Sequence, residues 1–513
     1  MSASTTGGPG IGPVEAGVAG VVGGGVALGL TEFIAGVVDG APSAIAAVGS
    51  FVVDRSPPFL KDFAISVFGT ADKGALAIGT VVIALVASWF VGRAAASRSW
   101  VGPAVFGLFA LVGIVAGLGE PLTSAPAVVG SILVSAGAGL AAMQGLLLAG
   151  RAPETPTDAV PTDAARRRFI GLAVAGGAVA ATGGLVGRRL LQTGSEPPEV
   201  AFEPRSELPG PTAEQMFSID GLEPIVVPND EFYRIDTALV VPRIDEEAWT
   251  VRVTGMVDTP LEFTYADLQA RDLVEQYVTI ACVSNEVGGD LVGNAKWAGV
   301  RLVEILEEAG VQPDATQIVG RSVDGWTAGF PTELAFDGRE PLLALFMNDE
   351  PLPADHGFPA RLIVPGLYGY VSATKWLTEI ELTTWEDFDG YWIPRGWAKE
   401  GPIKTQSRID VPRSGQTVPA GETVVAGVAW APLRGIERVE LAVDDGDFQE
   451  CELTDPLSSK AWVQWKTTVT LDPGVHRLRV RATDGTGDTQ VREVSSPRPD
   501  GATGWHAIRV EVE

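Results

Sequence analysis

The sequence predicts a multi-domain chain: an α-helical transmembrane bundle, then an α+β domain, then an Ig-like β-sandwich. Three observations predict it. Long apolar, nearly uncharged runs fill the first third of the 513 residues. Strand-like and helix-like segments mix between residues 216 and 400. From about residue 401, short alternating strands follow one another, split by Asp-Gly and Pro-Gly turns. Net charge is −27, yet mean hydropathy is +0.20. The two values are compatible because the chain joins two materials, an apolar N-terminal third and an acidic remainder. So acidic a surface argues against nucleic acid as a partner, because a polyanion is repelled. It suits solvation in high salt, the character of an acidic proteome.

Residues 1–150 form the expected transmembrane helical domain. The apolar runs 17–38, 74–92, 100–118 and 126–149 each approach the roughly 20 residues that span a bilayer. Residues 41–53 are apolar but short, and read as re-entrant or interfacial. Residues 57–69 (PPFLKDFAISVFG) read as an amphipathic piece on the membrane surface. Segment 151–215 holds a polar linker, a fifth span at 169–187 and a Pro-rich tether over 188–215. Arg93 and Arg98 follow the second span; Arg151, Arg166, Arg167 and Arg168 follow the fourth; loop 119–125 carries Glu120 and no base. The positive-inside rule then puts the N-terminus inside and everything after about residue 190 outside, although Arg188 and Arg189 run against it. The expected location is a multi-pass cell-membrane protein with both later domains extracytoplasmic. Ala165–Gly171 (ARRRFIG) resembles the twin-arginine export signal through Arg166 and Arg167, and reads equally as an ordinary positive flank.

The membrane part contains neither His nor Cys, which excludes bis-His haem ligation there. Cys282 and Cys451 are the chain's 2 cysteines, too few for an Fe–S cluster, a CxxCH haem site or a Cys-based zinc site. No haem or Fe–S cluster is therefore expected. Between 216 and 400, WTVRVTGMV, VEQYVTIACV, LLALFMN and ARLIVPG read as strands, while YADLQAR and GVRLVEILEEAG read as helices. In 401–513 the strands are TVVAGVAWAP, ERVELAVDDG, WVQWKTTVTL, HRLRVRATD and AIRVEVE.

Three stretches carry chemistry. In TIACVSNEVGGDLVGNAKW (279–297), Cys282 ends a strand and precedes Asn285 and a Gly-Gly turn. A lone cysteine is either a small core hydrophobe or, in such a loop, a thiolate for a metal whose other ligands come from a cofactor. In EPLPADHGFPARLIVPGLYGYVSATKW (350–376), His356, Arg361 and Lys375 lie among Pro and Gly turns. They read as an anion or phosphate cradle, or as scattered surface charge. In NDEFYRIDTALVVPRID (229–245), Arg234 is flanked by aromatic residues.

The order NDEFYRID, TIACVSNEVGG…KWAGVRL, LFMNDEPLPADHGFPARLIVPG…TKW resembles the sulfite oxidase family of molybdopterin enzymes, from about residue 225 to 510. The resemblance implies a sulfite-oxidase-type molybdopterin domain over 216–400 and an Ig-like dimerisation domain over 401–513. It implies a molybdenum-molybdopterin cofactor with Cys282 as the thiolate ligand. Tyr233 and Arg234 would line the pterin and anion side. His356, Arg361 and Lys375, with the backbone near Thr374, would hold the pterin and its phosphate. Asp324 would contact the cofactor and Trp297 would wall the substrate pocket, so Cys282, Arg234 and Trp297 form the expected catalytic set. The implied reaction is two-electron oxygen-atom transfer on a small molecule. Two departures count against sulfite. Glu286 and Val287 stand where sulfite-oxidising members carry two arginines, and Trp326 stands where they carry a tyrosine. The cytochrome b5-like haem domain of animal members has no counterpart. Electrons then require a separate electron-carrier protein or a quinone-linked partner. The resemblance also implies a homodimer through the Ig-like domain. Two alternatives stay open: an S-oxide or N-oxide reductase, and a non-enzymatic, membrane-anchored Ig-type binding protein.

Overall fold

Glycine at helical spacing builds the N-terminal helices into a close-packed group. In the computed structural model, which describes residues 11–57, 67, 72–151, 162–193 and 208–513, six helices come first. They are α1 (Pro13–Val37), α2 (Ala44–Arg55), α3 (Asp72–Ser97), α4 (Val101–Gly117), α5 (Ala125–Ala149) and α6 (Thr162–Thr193). α1 packs against α3, α5 and α6. At those crossings Gly20 meets Ser88 and Gly92, Gly23 meets Gly139 and Met143, and Gly29 meets Ala180, so closely that a Cβ would collide. Small residues let helix backbones approach and gain van der Waals contact where no hydrophobic force separates helix from lipid. Glu32 is buried in α1. Its carboxylate accepts from Ser43 Oγ at 2.8 and 2.9 Å and from the Ile45 amide at 3.3 Å, tying α1 to the start of α2.

Among the described residues, four helices are long and apolar enough to cross a membrane, over Pro13–Val37, Lys73–Ser97, Ala125–Ala149 and Arg166–Leu191. Of the five expected spans, the third run forms the shorter apolar helix α4, with 17 residues, about 26 Å at 1.5 Å per residue. The run 41–53 forms the 12-residue α2. Most of 57–69, read as amphipathic, and residues 194–207 of the tether lie outside the described residues, while 188–193, expected as tether, continue α6 to Thr193.

Met1–Ser195 with Ala238–Pro242 make up one compact unit; Glu196–Thr237 with Arg243–Glu513 make up the other. The two domains expected at 216–400 and 401–513 thus cluster together. In the first of them, one sheet has the order β2-β1-β10-β5-β6, built from β1 (Thr250–Gly255), β2 (Leu261–Thr264), β5 (Gln317–Ser322), β6 (Thr327–Pro331) and β10 (Leu377–Thr383). A second has the order β3-β4-β7-β8, with β9 also on β7; its strands are β3 (Val274–Ala281), β4 (Val292–Arg301), β7 (Leu342–Met347), β8 (Glu350–Pro351) and β9 (Arg361–Ile363). Helix α7 (Tyr265–Gln269) starts with a reciprocal cap between Thr264 and Asp267. Helix α8 (Leu302–Ala309) buries Leu302, Ile305, Leu306 and Ala309, and stops at Gly310, which is left-handed at φ 69°.

The C-terminal part is a two-sheet sandwich. One sheet, β11-β13-β17-β16, consists of β11 (Gln406–Val411), β13 (Gly421–Trp430), β17 (Val463–Leu471) and β16 (Glu452–Leu453). The other, β12-β19-β18-β14-β15, consists of β12 (Thr417–Val418), β19 (His506–Val512), β18 (Gly474–Asp484), β14 (Ile436–Val443) and β15 (Gln449–Glu450). Val425, Trp465 and Leu471 of the first meet Leu441, Val480 and Val510 of the second in one core. The sandwich also grips β3: the Thr279 amide donates to Lys460 O (3.0 Å), Trp462 N donates to Thr279 Oγ1 (2.7 Å), and Trp462 Nε1 donates to Ile225 O (2.8 Å).

Candidate functional site

The β3–β4 hairpin fixes the cysteine. Its ladder runs from Val274↔Gly299 to Ala281↔Val292, and Cys282 follows immediately. The Cys282 amide donates to Leu291 O (2.9 Å), and its carbonyl accepts from the Asn285 amide (3.0 Å). Buried Asn285 closes the loop by accepting from the Leu291 amide at 2.9 Å. Gly288 has φ +80°, and a Cβ there would strike the His506 ring; at Gly289 a Cβ would strike the Asn285 side chain. Arg408 Nη1 donates to Gly289 O at 3.0 Å. Gly288 is therefore required by His506 of β19 and Gly289 by Asn285 of the loop itself, while Arg408 of β11 only holds the Gly289 carbonyl; β11 and β19 both belong to the sandwich. Cys282 is a free, buried thiol whose Sγ accepts from the Ser284 amide at 3.4 Å. Burial pushes its pKa up, opposed by that amide.

Arg361 begins β9, opposite Ala344 of β7. Buried there, it donates from Nη1 to His356 O (2.9 Å), with its guanidinium 5.0 Å from the Trp297 ring centre. Burial lowers its pKa to about 10, opposed by Tyr233. Arg361 Nε and Thr374 Oγ1 are buried polar atoms without a partner. His356 Nε2 lies 2.8 Å from Asn229 O, and since a carbonyl only accepts, Nε2 carries the proton. Burial, then the charges of Arg361, Lys375 and Arg234, hold the imidazole at about 4, with the Asn229 bond opposing. Lys375 Nζ donates to Asp236 Oδ2 (2.7 Å) and to Asp355 O (2.9 Å). Burial lowers it to about 8 against the pull of Asp236. Arg234, more exposed, donates from Nε to the same Asp236 Oδ2 (3.1 Å) and from Nη1 to Asp355 Oδ2 (3.0 Å).

Tyr233 stacks on Phe232 at 5.2 Å. Burial raises its hydroxyl pKa, Cys282 adds to the rise and Arg361 opposes it, so both lie within electrostatic reach of Tyr233. The same fold thus gathers Tyr233, Arg234, Cys282, His356, Arg361, Thr374 and Lys375. Asp324 sits in the β5–β6 turn, where its carboxylate accepts from the Trp326 amide (3.1 Å). That turn joins the group through Val323 N, which donates to Trp376 O at 2.9 Å. Trp297 is fully buried, with Nε1 donating to Val278 O (3.1 Å). It supports Arg361 from behind instead of facing open space. Glu286 is exposed on the Cys282 loop and Val287 is half-buried.

Sequence reasoning missed four participants. Asp236 lay inside the quoted NDEFYRID motif, and its acidic position between two expected cation sites was the available signal. Asn229 acts through its backbone, which no side-chain pattern reveals. Arg408 and His506 reach the loop from more than a hundred residues downstream, and no local spacing marks them.

Residues 238–392 match the family described as "Oxidoreductase molybdopterin binding domain". Human mitochondrial sulfite oxidase is 29% identical over 342 residues, covering 56% of this chain and 62% of that protein. The uncharacterized oxidoreductase YuiH of Bacillus subtilis is 36% identical over 157 residues, covering 31% of this chain and 76% of that protein. Among solved structures, the sulfane dehydrogenase SoxCD from Paracoccus pantotrophus superposes with a TM-score of 0.50 at 23% identity, over 56% of this chain and 82% of that one. The chain spans about 62% of the length of the animal sulfite oxidases it matches.

Proposed function

The chain belongs to the sulfite oxidase family of molybdopterin oxidoreductases, and from that premise we propose that it is a membrane-anchored molybdenum enzyme. Its reaction is two-electron oxygen-atom transfer on a small molecule outside the cytoplasm. The observation that carries the reading is the group around Cys282. One buried loop thiol, three cationic side chains and two buried polar atoms without partners converge from four separate segments. Their chemistry fits a molybdenum-bearing pterin with an anionic phosphate.

When bound, that cofactor supplies a two-electron metal centre with an exchangeable oxygen. Cys282 Sγ would be the protein's ligand to it, giving up the proton that burial keeps on the free thiol. Arg361 Nε, Thr374 Oγ1 and the Lys375 ammonium would take the pterin and its phosphate. Neutral His356 offers Nδ1 as an acceptor while Nε2 stays fixed on Asn229. Trp297 holds the Arg361 plane. Tyr233 keeps its proton and can donate a hydrogen bond beside the metal position.

The substrate is uncharged or only weakly anionic. Arg234, the remaining cation for a substrate, is offset by Asp236 and Asp355, and Glu286 adds a carboxylate to the loop that sulfite would have to approach. The same electrostatics favour the reductive direction with S-oxides or N-oxides as a second reading. For the anchoring, the four long apolar helices supply the support. An outward catalytic part further requires α4 to cross, which its exposed Leu108, Phe109, Leu111, Val112 and Val115 favour. The C-terminal sandwich is Ig-like in this reading and doubles as a dimerisation surface.

Metal analysis after expression with molybdate is the direct test. Wild type should contain about one molybdenum per chain. Cys282→Ala should lose dye-linked turnover of every substrate while its melting temperature stays within a few degrees. Full activity in that variant, or metal-free wild type, sinks the proposal.

A further inference from the structure

One side of the sheet β12-β19-β18-β14-β15 faces solvent. Along β18, buried Leu478, Val480 and Ala482 alternate with Arg477, Arg479 and Arg481. On β19, Arg509 stands between buried Ile508 and Val510, in register with Arg477. Like charges directly opposite across a ladder destabilise it. Among the described residues neither Arg477 nor Arg509 has an ion-pair partner, whereas Arg481 pairs with Glu440 at 2.9 Å. Exposed Arg492 joins the group, its guanidinium 5.5 Å from the Trp505 ring centre. Arg481 lies 4.0 Å from the Phe448 ring centre and 5.5 Å from that of Trp505, and the two rings meet edge-to-face at 5.0 Å. On this face of the sheet Arg438, Arg477, Arg479, Arg481 and Arg509 outnumber Glu440, Glu450 and Glu511, an excess of basic charge in a chain with 64 acidic and 37 basic residues. The aromatic end of this patch borders the back of the Cys282 loop. Trp505 sits in the chain between Gly504, which packs on Val287, and His506, which packs on Gly288.

We propose that this arginine-aromatic face docks an acidic one-electron carrier protein, the partner with which the Cys282 centre exchanges electrons. The identity of the carrier rests on the molybdopterin reading above. In the oxidative direction, adding one oxygen atom from water to a substrate releases two electrons and two protons. Two carriers docking in turn take one electron each, and solvent takes the protons. Guanidinium groups match carboxylates bidentately, and arginine and tryptophan are the residue types that dominate interface binding energy. An acidic partner is also steered towards the face by opposite charge. A second copy would bring two net-basic faces together, and like charge makes that a poorer match than an acidic partner.

Native cytochrome c, which is basic, and its succinylated, acidic form offer one haem scaffold with either charge. Chemically reduced full-length enzyme in neutral phosphatidylcholine nanodiscs should reduce the acidic form faster at low salt, and the preference should vanish at high salt. Arg477→Glu/Arg509→Glu should slow that reduction at least tenfold, leave reduction of a small neutral dye unchanged, and leave the melting temperature equal or higher. The proposal is overturned if wild type and variant reduce the acidic form alike. It is equally overturned if the variant loses only binding to phosphatidylserine nanodiscs or only self-association in sedimentation. Anisotropy binding of labelled succinylated cytochrome c to metal-free Cys282→Ser protein separates the two readings. Failure of the wild type to reduce even the dye strikes the molybdopterin reading, while binding that Arg477→Glu/Arg509→Glu abolishes still upholds the docking face.

Discussion

Asp236 serves two cations with one oxygen, and its side chain is almost completely buried. Asp236→Asn leaves the Lys375 ammonium buried without its counter-ion. Breaking such a pair from one side costs about 3 kcal/mol. Urea unfolding of metal-free protein should register that loss, and Lys375→Met in the same background should recover part of it. His356 gives the site a pH signature. Its ordinary pKa of 6.5 drops to about 4 in the folded chain. Between those values the unfolded chain binds the extra proton, so stability is full above 6.5 and falls as pH drops through 4. The loss amounts to about 3 kcal/mol. His356→Gln should flatten that part of the unfolding profile, and an unchanged slope would show that another group carries it. The residues that the fold gathers at the candidate site were legible in sequence where chemistry and motif coincide, as at Cys282, His356, Arg361 and Lys375. Trp297 was expected at the pocket wall only through the family resemblance; its ring is fully buried on β4, between β3 and β7, which no local pattern in the sequence marks.

At the level of elements, the Cys282 loop takes its shape from the sandwich. Arg408, itself buried, donates to Gly289 O, to Asp410 at 2.5 Å and to Glu223 at 2.9 Å. Arg408→Met would strand two partly buried carboxylates and free the loop, costing about 3–5 kcal/mol. Gly288→Ala tests the loop with a gentler change. Its Cβ meets the His506 ring at an unfavourable φ, so molybdenum content should fall severalfold with only a small drop in melting temperature. Retention of wild-type metal content would mean that the ring yields. Strands such as β3, β7, β14 and β18 were readable because branched apolar residues alternate or run unbroken. β4 was not, because GNAKWAGVR interrupts its pattern with two glycines and a lysine, and cross-strand partners on both sides supply the order instead. Helix α4 falls one residue short of the apolar run 100–118 at each end, where Trp100 and Leu118 bound it.

For the whole chain, in the membrane-anchored reading proposed above, the parity of crossings would decide where the oxidoreductase part lies. Alkaline phosphatase fused after residue 119 and after residue 193 should be active at both positions if α4 crosses. Activity after 119 is the crucial result, since an inactive fusion there would make α4 a surface helix and reverse the expected side. The two-part character was legible from hydropathy, and the sandwich from its turn spacing. That the last two expected domains act as one unit was not, because Trp462, Lys460 and Arg408 reach back over hundreds of residues to make the joint.

That joint has a consequence in time. His506 lies 224 residues beyond Cys282 (506 − 282). At about 5–20 residues per second, a ribosome needs on the order of 10–45 s to supply it after the cysteine has emerged. Throughout that interval the loop lacks its backing, so the cofactor has no finished cradle to enter. Loading must therefore follow synthesis of the sandwich, and any transport route that threads the chain unfolded would have to load it on the far side.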